Sequence, residues 1–133
     1  MTVDEIESFL AANHTSAARF ATLEALDDDV ARVRVPYRPE YARQGGSIAG
    51  PILMSAADTA MYLLLISHIG PVAGAVTTSL NIHFLRRPAA RDLLAHARML
   101  KLGRRLAVGD VLMYVDGEDE PVGQATVTYA IPS

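Results

Sequence analysis

The sequence predicts an α+β domain in which an antiparallel sheet wraps around one long central helix. Three observations carry this expectation. An apolar stretch from Ile52 to Ile66 follows Pro51 and is stopped by Gly70-Pro71, which reads as a single buried helix. Four strand-like stretches follow it, with turn residues between them. Two more precede it, so strands flank one helix on both sides. A helix that is apolar all round needs wrapping on nearly every side, because a single sheet face would leave half of it wet.

The elements follow in order. Residues 3 to 12 form a short amphipathic helix with Ile6, Phe9 and Leu10 on one face. Arg19 to Leu26 and Val30 to Val35 read as a hairpin joined at Asp27-Asp28-Asp29. In its second arm Val33 and Val35 face one way, Arg32 and Arg34 the other. Pro36 and Pro39 end it, and a turn-rich loop leads through Gln44-Gly45-Gly46-Ser47-Ile48-Ala49-Gly50. The central helix then runs from Pro51 to about His68. Beyond it, Val76, Thr78, Leu80, Ile82 and Phe84 alternate with Thr77, Ser79, Asn81 and His83. Leu93 to Leu102, Leu106 to Val115 and Val122 to Ile131 complete the strands. Arg87-Pro88, Lys101 to Arg104, and Asp116 to Pro121 supply the turns between them. Without repeats or a linker, the expectation is one domain over 1–133. A small sheet with long edges also needs a partner, so a dimer or larger assembly is expected.

Composition narrows the functional classes. The chain has 133 residues, of which 50% are apolar, enough for a real core. Its 12 Lys plus Arg against 15 Asp plus Glu leave a net charge of −3, which argues against nucleic-acid binding. The absence of cysteine excludes disulfides, thiol catalysis and cysteine-based zinc sites. The start, Met1-Thr2-Val3-Asp4-Glu5, lacks the basic and apolar runs of a signal peptide, so a cytoplasmic protein is expected and the sequon Asn13-His14-Thr15 carries no meaning. The apolar helix is short for a membrane span and carries Asp58 near its middle, so no membrane association is expected.

Asp58 is the residue that asks for an explanation. Between Arg43 and Arg86 it is the only Asp, Glu, Lys or Arg. It lies roughly two turns after Pro51 in a stretch otherwise suited to burial. A buried carboxylate costs several kcal/mol unless it is hydrogen-bonded, neutralised or open to a pocket. Asp58 therefore either fixes packing through nearby hydroxyls or serves a site. The helix start has unpaired amides and a dipole that favours negative charge, and Gly50 lets a ligand approach that backbone. A carbonyl resting there would be polarised, while Asp58 attacks it or activates water. A plain turn with a tight start to the helix is the bland alternative for Gly45, Gly46 and Gly50.

Other motifs lead nowhere. His14, His68, His83 and His96 show no metal-binding spacing, so no metal and no cofactor is expected. Gly45-Gly46-Ser47-Ile48-Ala49 misses the last glycine of a nucleophile elbow. Gly45 to Gly50 has the glycine spacing of a phosphate loop, but Pro51 stands where lysine is required.

The segment Ala49-Gly50-Pro51-Ile52-Leu53-Met54-Ser55-Ala56-Ala57-Asp58-Thr59-Ala60 resembles the central helix of hotdog-fold thioesterases of the PaaI-like group. Asn81-Ile82-His83-Phe84-Leu85-Arg86 with Pro88, Lys101-Leu102-Gly103-Arg104, and Val122-Gly123-Gln124-Ala125 to Tyr129 match in the same order, from about residue 20 onward. The resemblance implies a hotdog fold and hydrolysis of an acyl-CoA thioester, with a medium-chain or aromatic acyl group, at a subunit interface. It puts Asp58 at the acidic position, as nucleophile or general base, and Gly50 at the glycine whose amide holds the thioester carbonyl. Thr77 falls where relatives place a hydroxyl from the neighbouring subunit, and Gln44 falls near an Asn or Gln that relatives use. Met54, Met61 and Tyr62 would line an acyl tunnel, and Arg86, Arg87, Arg104 and Arg105 would meet the phosphates of CoA. A homodimer is the minimal unit implied, and a homotetramer is expected. The family often reads His-Gly-Gly where this chain has Ala49-Gly50-Pro51; the change loses a polar contact and a backbone donor.

Two other functions fit the same fold. The missing histidine favours a non-catalytic binder of acyl-CoA or another acyl ligand, whereas the retained Asp58 favours the enzyme. A hydratase or dehydratase ranks last, because it would pair a histidine with the carboxylate, and His68 lies almost three turns from Asp58.

Overall fold

The computed structural model describes residues 1–13, 16–27, 29–72 and 74–132. Asp28 of the expected turn, and His14 and Thr15 of the sequon, lie outside the described residues. Helix α1 (Val3–Ala12) starts with a capping box between Thr2 and Glu5 and buries Ile6 and Leu10. A short helix α2 (Ser16–Phe20) follows, then the hairpin of β1 (Thr22–Asp27) and β2 (Val30–Val35). The hairpin's first arm was expected from Arg19. Arg19 and Phe20 instead finish α2, whose single turn is too short to show a helical period.

Helix α3 (Gly50–Ile69) is followed by β3 (Val76–Phe84), β4 (Leu93–Leu102), β5 (Leu106–Val115) and β6 (Gly123–Ala130). The six strands form one sheet in the order β1-β2-β4-β5-β6-β3, and every neighbouring pair is antiparallel. Alternation buries Ala31, Val33 and Val35 of β2 and Ala125, Val127 and Tyr129 of β6 on the helix side. Leu53, Met61, Leu64 and Leu65 of α3 complete the core against the sheet. Arg34 clamps one end by donating to Glu24, Asp92 and Asp116 at 2.8–3.1 Å, while Asp92 accepts the Tyr37 amide at 2.7 Å.

The helix is not wrapped on nearly every side. Pro51, Met54 and Ser55 are exposed, and Asp58, Thr59 and Tyr62 are half-buried, so an open stripe runs along α3. A helix without amphipathic bias says only that it wants cover, not that its own sheet provides all of it. By length and composition α3 could cross a membrane, but half of it is buried as the core helix.

Strand β3 is one of the two sheet edges, pairing only with β6, and most of it is exposed. A bulge between Thr77 and Ser79 breaks its alternation. The extra residue puts Thr77 opposite Tyr129, on the helix side with Leu80 and Ile82, instead of on the opposite face as the alternation predicted.

Candidate active site

The loop before α3 is tightly pinned. Ala49 donates to the Tyr41 carbonyl at 2.9 Å, Arg43 to Ser47 at 2.8 Å and Ile48 to Pro88 at 3.1 Å. Gly45 and Gly46 turn the chain at φ +103° and +88°, and Arg87 donates to the Gly45 carbonyl at 2.9 Å. This places Gly50 at the first position of α3, with Ala49 as its extended N-cap. Pro51 has no amide hydrogen, and Ile52 donates to Ala49. Among the described residues the Gly50 amide has no acceptor. A Cβ on Gly50 would lie 3.3 Å from the Phe84 ring, so a glycine keeps this amide approachable. A cleft of about 710 Å³ opens here, lined among others by Arg43, Gln44, Gly50, Phe84, Arg86 and Arg87. Arg86 is paired with Glu120.

Asp58 lies on the open stripe of α3. Its Oδ1 accepts from the Thr77 hydroxyl at 2.6 Å and from the Tyr129 hydroxyl at 2.9 Å. No hydrogen bond reaches Oδ2 among the described residues. A second cleft of about 550 Å³ borders this carboxylate, lined by Ser16, Ala17 and Phe20 of α2, Ser55, Thr59 and Tyr62 of α3, and Tyr129. The Tyr62 and Tyr129 rings meet with centroids 6.3 Å apart. Burial, with the Asp58 carboxylate alongside, pushes the Tyr129 phenol well above the usual tyrosine range, so it stays a donor.

The structure therefore divides the expected site residues. Asp58, Thr77 and Tyr62 come together at one cleft, Gly50, Gln44, Arg86 and Arg87 at the other. Thr77 was expected to arrive from a neighbouring subunit; it bonds the Asp58 of its own chain because β3 runs beside α3. At 1.5 Å per residue, Gly50 and Asp58 sit about 12 Å apart along the helix, so one protomer cannot aim both at a single thioester. Met61 lines neither cleft: it is fully buried against Gly109. Met54 is exposed on the open stripe, one turn before Asp58. Arg104 and Arg105 lie apart with Lys101 around the β4–β5 turn. Sequence reasoning reaches Tyr129 only as the end of the closing-strand match. Its register opposite Thr77 and its bond to Asp58 show that its hydroxyl serves the carboxylate. Among the described residues no group of three or more His, Cys, Asp or Glu side chains could hold a metal ion.

Residues 45–122 match the family model described as the thioesterase superfamily, more than half of the chain. The chain belongs to that superfamily. Its sheet and central helix form the hotdog fold of the PaaI-like thioesterases. The crystal structure of a provisionally named thioesterase from Silicibacter sp. TM1040 superposes with a TM-score of 0.91 at 36% identity, covering 100% of this chain and 93% of that one. A mutant of the phenylacetic acid degradation protein PaaI from Thermus thermophilus is 25% identical, with a TM-score of 0.73 over 94% of this chain and 99% of that one. A provisionally named esterase of Halobacterium salinarum is 34% identical over 68% of this chain, which spans 62% of that relative's length. Membership of the thioesterase superfamily supports hydrolysis of a thioester in general terms.

Proposed function

We propose that this chain hydrolyses an acyl-CoA thioester carrying a medium-chain or aromatic acyl group, in a site completed by a second copy of itself. The observation that carries this reading is Asp58, an isolated carboxylate held by two hydroxyls on one oxygen and bordering a cleft. The thioester carbonyl rests on the free Gly50 amide of one copy, at the positive end of α3, where charge developing on the oxygen is stabilised. Asp58 of the other copy works on the carbonyl carbon. As general base it takes a proton from water while the water oxygen bonds to carbon. The tetrahedral adduct then expels the CoA sulfur, which takes up the proton, leaving carboxylic acid and free thiol. As nucleophile it forms an acyl anhydride and expels the CoA thiolate; water then cleaves the anhydride to the carboxylic acid and the free carboxylate, and the remaining water proton neutralises the thiolate.

The edge strand supports the second copy. Val76, Phe84 and Leu85 are 54%, 55% and 52% exposed in the protomer, and β3 has one unpaired side. Antiparallel pairing of β3 with its twin brings the end near residue 84 of one copy beside the Thr77 end of the other. Gly50, Gln44, Arg86 and Arg87 of one copy then approach Asp58 and Tyr62 of its partner. Arg86, Arg87, Arg104 and Arg105 serve as contacts for the CoA phosphates, and two such dimers make the homotetramer. Ala49, which offers no imidazole, and Pro51, which offers no amide hydrogen, favour the second reading of a binder without turnover.

The test is thiol release from a panel of acyl-CoAs by wild type and Asp58→Asn. The enzyme reading expects turnover of some member and a loss of about 10²-fold or more in the variant. No turnover on any member, with acyl-CoA still raising the melting temperature of both proteins, would leave the binder.

A further inference from the structure

The family resemblance includes Tyr129 only as the end of its closing strand and gives it no role, and the residue lies outside those matched by the family model. It is 4% exposed, on the face of β6 that also buries Ala125 and Val127. A phenol at such a depth needs a partner for its hydroxyl. It finds Asp58, donating to Oδ1 at 2.9 Å, with the Asp58 carbonyl 3.3 Å away. Thr77, opposite Tyr129 in register because of the β3 bulge, donates to the same Oδ1 at 2.6 Å. Two donors on one oxygen fill it and fix the carboxylate plane, leaving Oδ2 without a bond among the described residues.

We infer that Tyr129 is a positioning residue which, with Thr77, locks Oδ1 of Asp58 so that Oδ2 is the oxygen that deprotonates water or attacks the thioester. This rests on the reading of Asp58 as the acting group. Burial keeps the phenol protonated through neutral pH. Around Asp58, the titratable groups of the cleft are Tyr129 from β6 and Tyr62 from the same helix. α2 offers Ser16, Ala17 and Phe20 there, and β3 offers Thr77, none of which titrates.

The experiment follows the Asp58 carboxyl carbon by NMR in aspartate-labelled protein, assigned by its loss in Asp58→Asn. kcat and KM for acyl-CoA are measured beside it. In Tyr129→Phe the Asp58 carboxyl resonance is expected to shift at fixed pH, as one of the two donors to Oδ1 is lost. The same variant is expected to lose about tenfold in kcat, with KM changing less than threefold. An Asp58 carboxyl resonance unchanged between the two proteins, or a kcat equal to wild type, would overturn the inference. Should Tyr129→Phe not fold, ultraviolet titration of wild type and Asp58→Asn decides instead. One of the five tyrosines is expected to ionise at lower pH once the carboxylate is gone, and coincident curves would overturn the assignment. Retained turnover in Asp58→Asn would sink the reading of Asp58, while the carboxyl resonance still judges Tyr129 separately.

Discussion

Replacing Thr77 by valine removes one hydroxyl and keeps the side-chain shape. The lost bond is a 2.6 Å contact from a hydroxyl to a carboxylate, within the short range of charge-assisted pairs. Such bonds contribute about 1.5–3 kcal/mol net. Thr77 is exposed in the protomer, so water can take over part of its role and the lower end applies. At about 1.36 kcal/mol per tenfold, the expected loss in kcat is about tenfold. Thr77→Ser keeps the donor and is expected to stay within about threefold of wild type, a difference of well under about 1 kcal/mol. Thiol release under saturating acyl-CoA reads both variants, and thermal melting should show little change in either. If valine matched wild type, or serine were as slow as valine, the hydroxyl would not be what Asp58 uses.

Other expectations concern packing, pH and the CoA phosphates. A Cβ on Gly109 would overlap the Met61 sulfur and lie 3.2 Å from the Arg98 carbonyl, so Gly109→Ala should cost about 1–3 kcal/mol in denaturant unfolding. His96 is desolvated and faces Arg32, which holds its imidazole below the usual range. The unfolded chain therefore binds a proton that the folded chain resists, and His96 contributes stability above the unfolded value near 6.5 that is lost as pH falls below it. Melting temperature should accordingly drop less between about pH 7 and about pH 5 in His96→Gln than in wild type. Reversing both Arg104 and Arg105 to glutamate should raise KM for acyl-CoA about tenfold, by loss of charge-assisted phosphate contacts, but leave a short thioester without phosphates unaffected. Equal effects on both substrates would remove these arginines from the phosphate site.

Much of the fold is legible because it depends on local punctuation. Gly70 after α3, the Lys101–Arg104 turn and the Asp116–Pro121 turn cut the chain close to where the structure does, and alternation in β2 marks its core face. The thioesterase family was legible in the ordered segments around Asp58. What was not legible depends on register and on cover. The bulge at Thr77 adds a single residue, invisible to a period-two pattern, and that residue brings Thr77 to Asp58. Tyr129 reads as core for the same reason: its ring is buried, and only its strand partner shows where the hydroxyl goes. Met61 and Tyr62 are adjacent and equally apolar in pattern. The sheet covers the first and leaves the second at the cleft, a distinction that α3 itself does not encode.

The central claim, that Gly50 of one copy and Asp58 of another serve the same thioester, is tested most directly by subunit complementation. Asp58→Asn and Gly50→Val chains, each inactive alone, are unfolded together, refolded as mixed dimers and assayed for thiol release. A mixed dimer carries one site with both an intact Gly50 and an intact Asp58 only if the two come from different copies. Recovery of activity on mixing is the expected result. A mixture as inactive as its parents, with mixed dimers shown to have formed, would contradict a shared site.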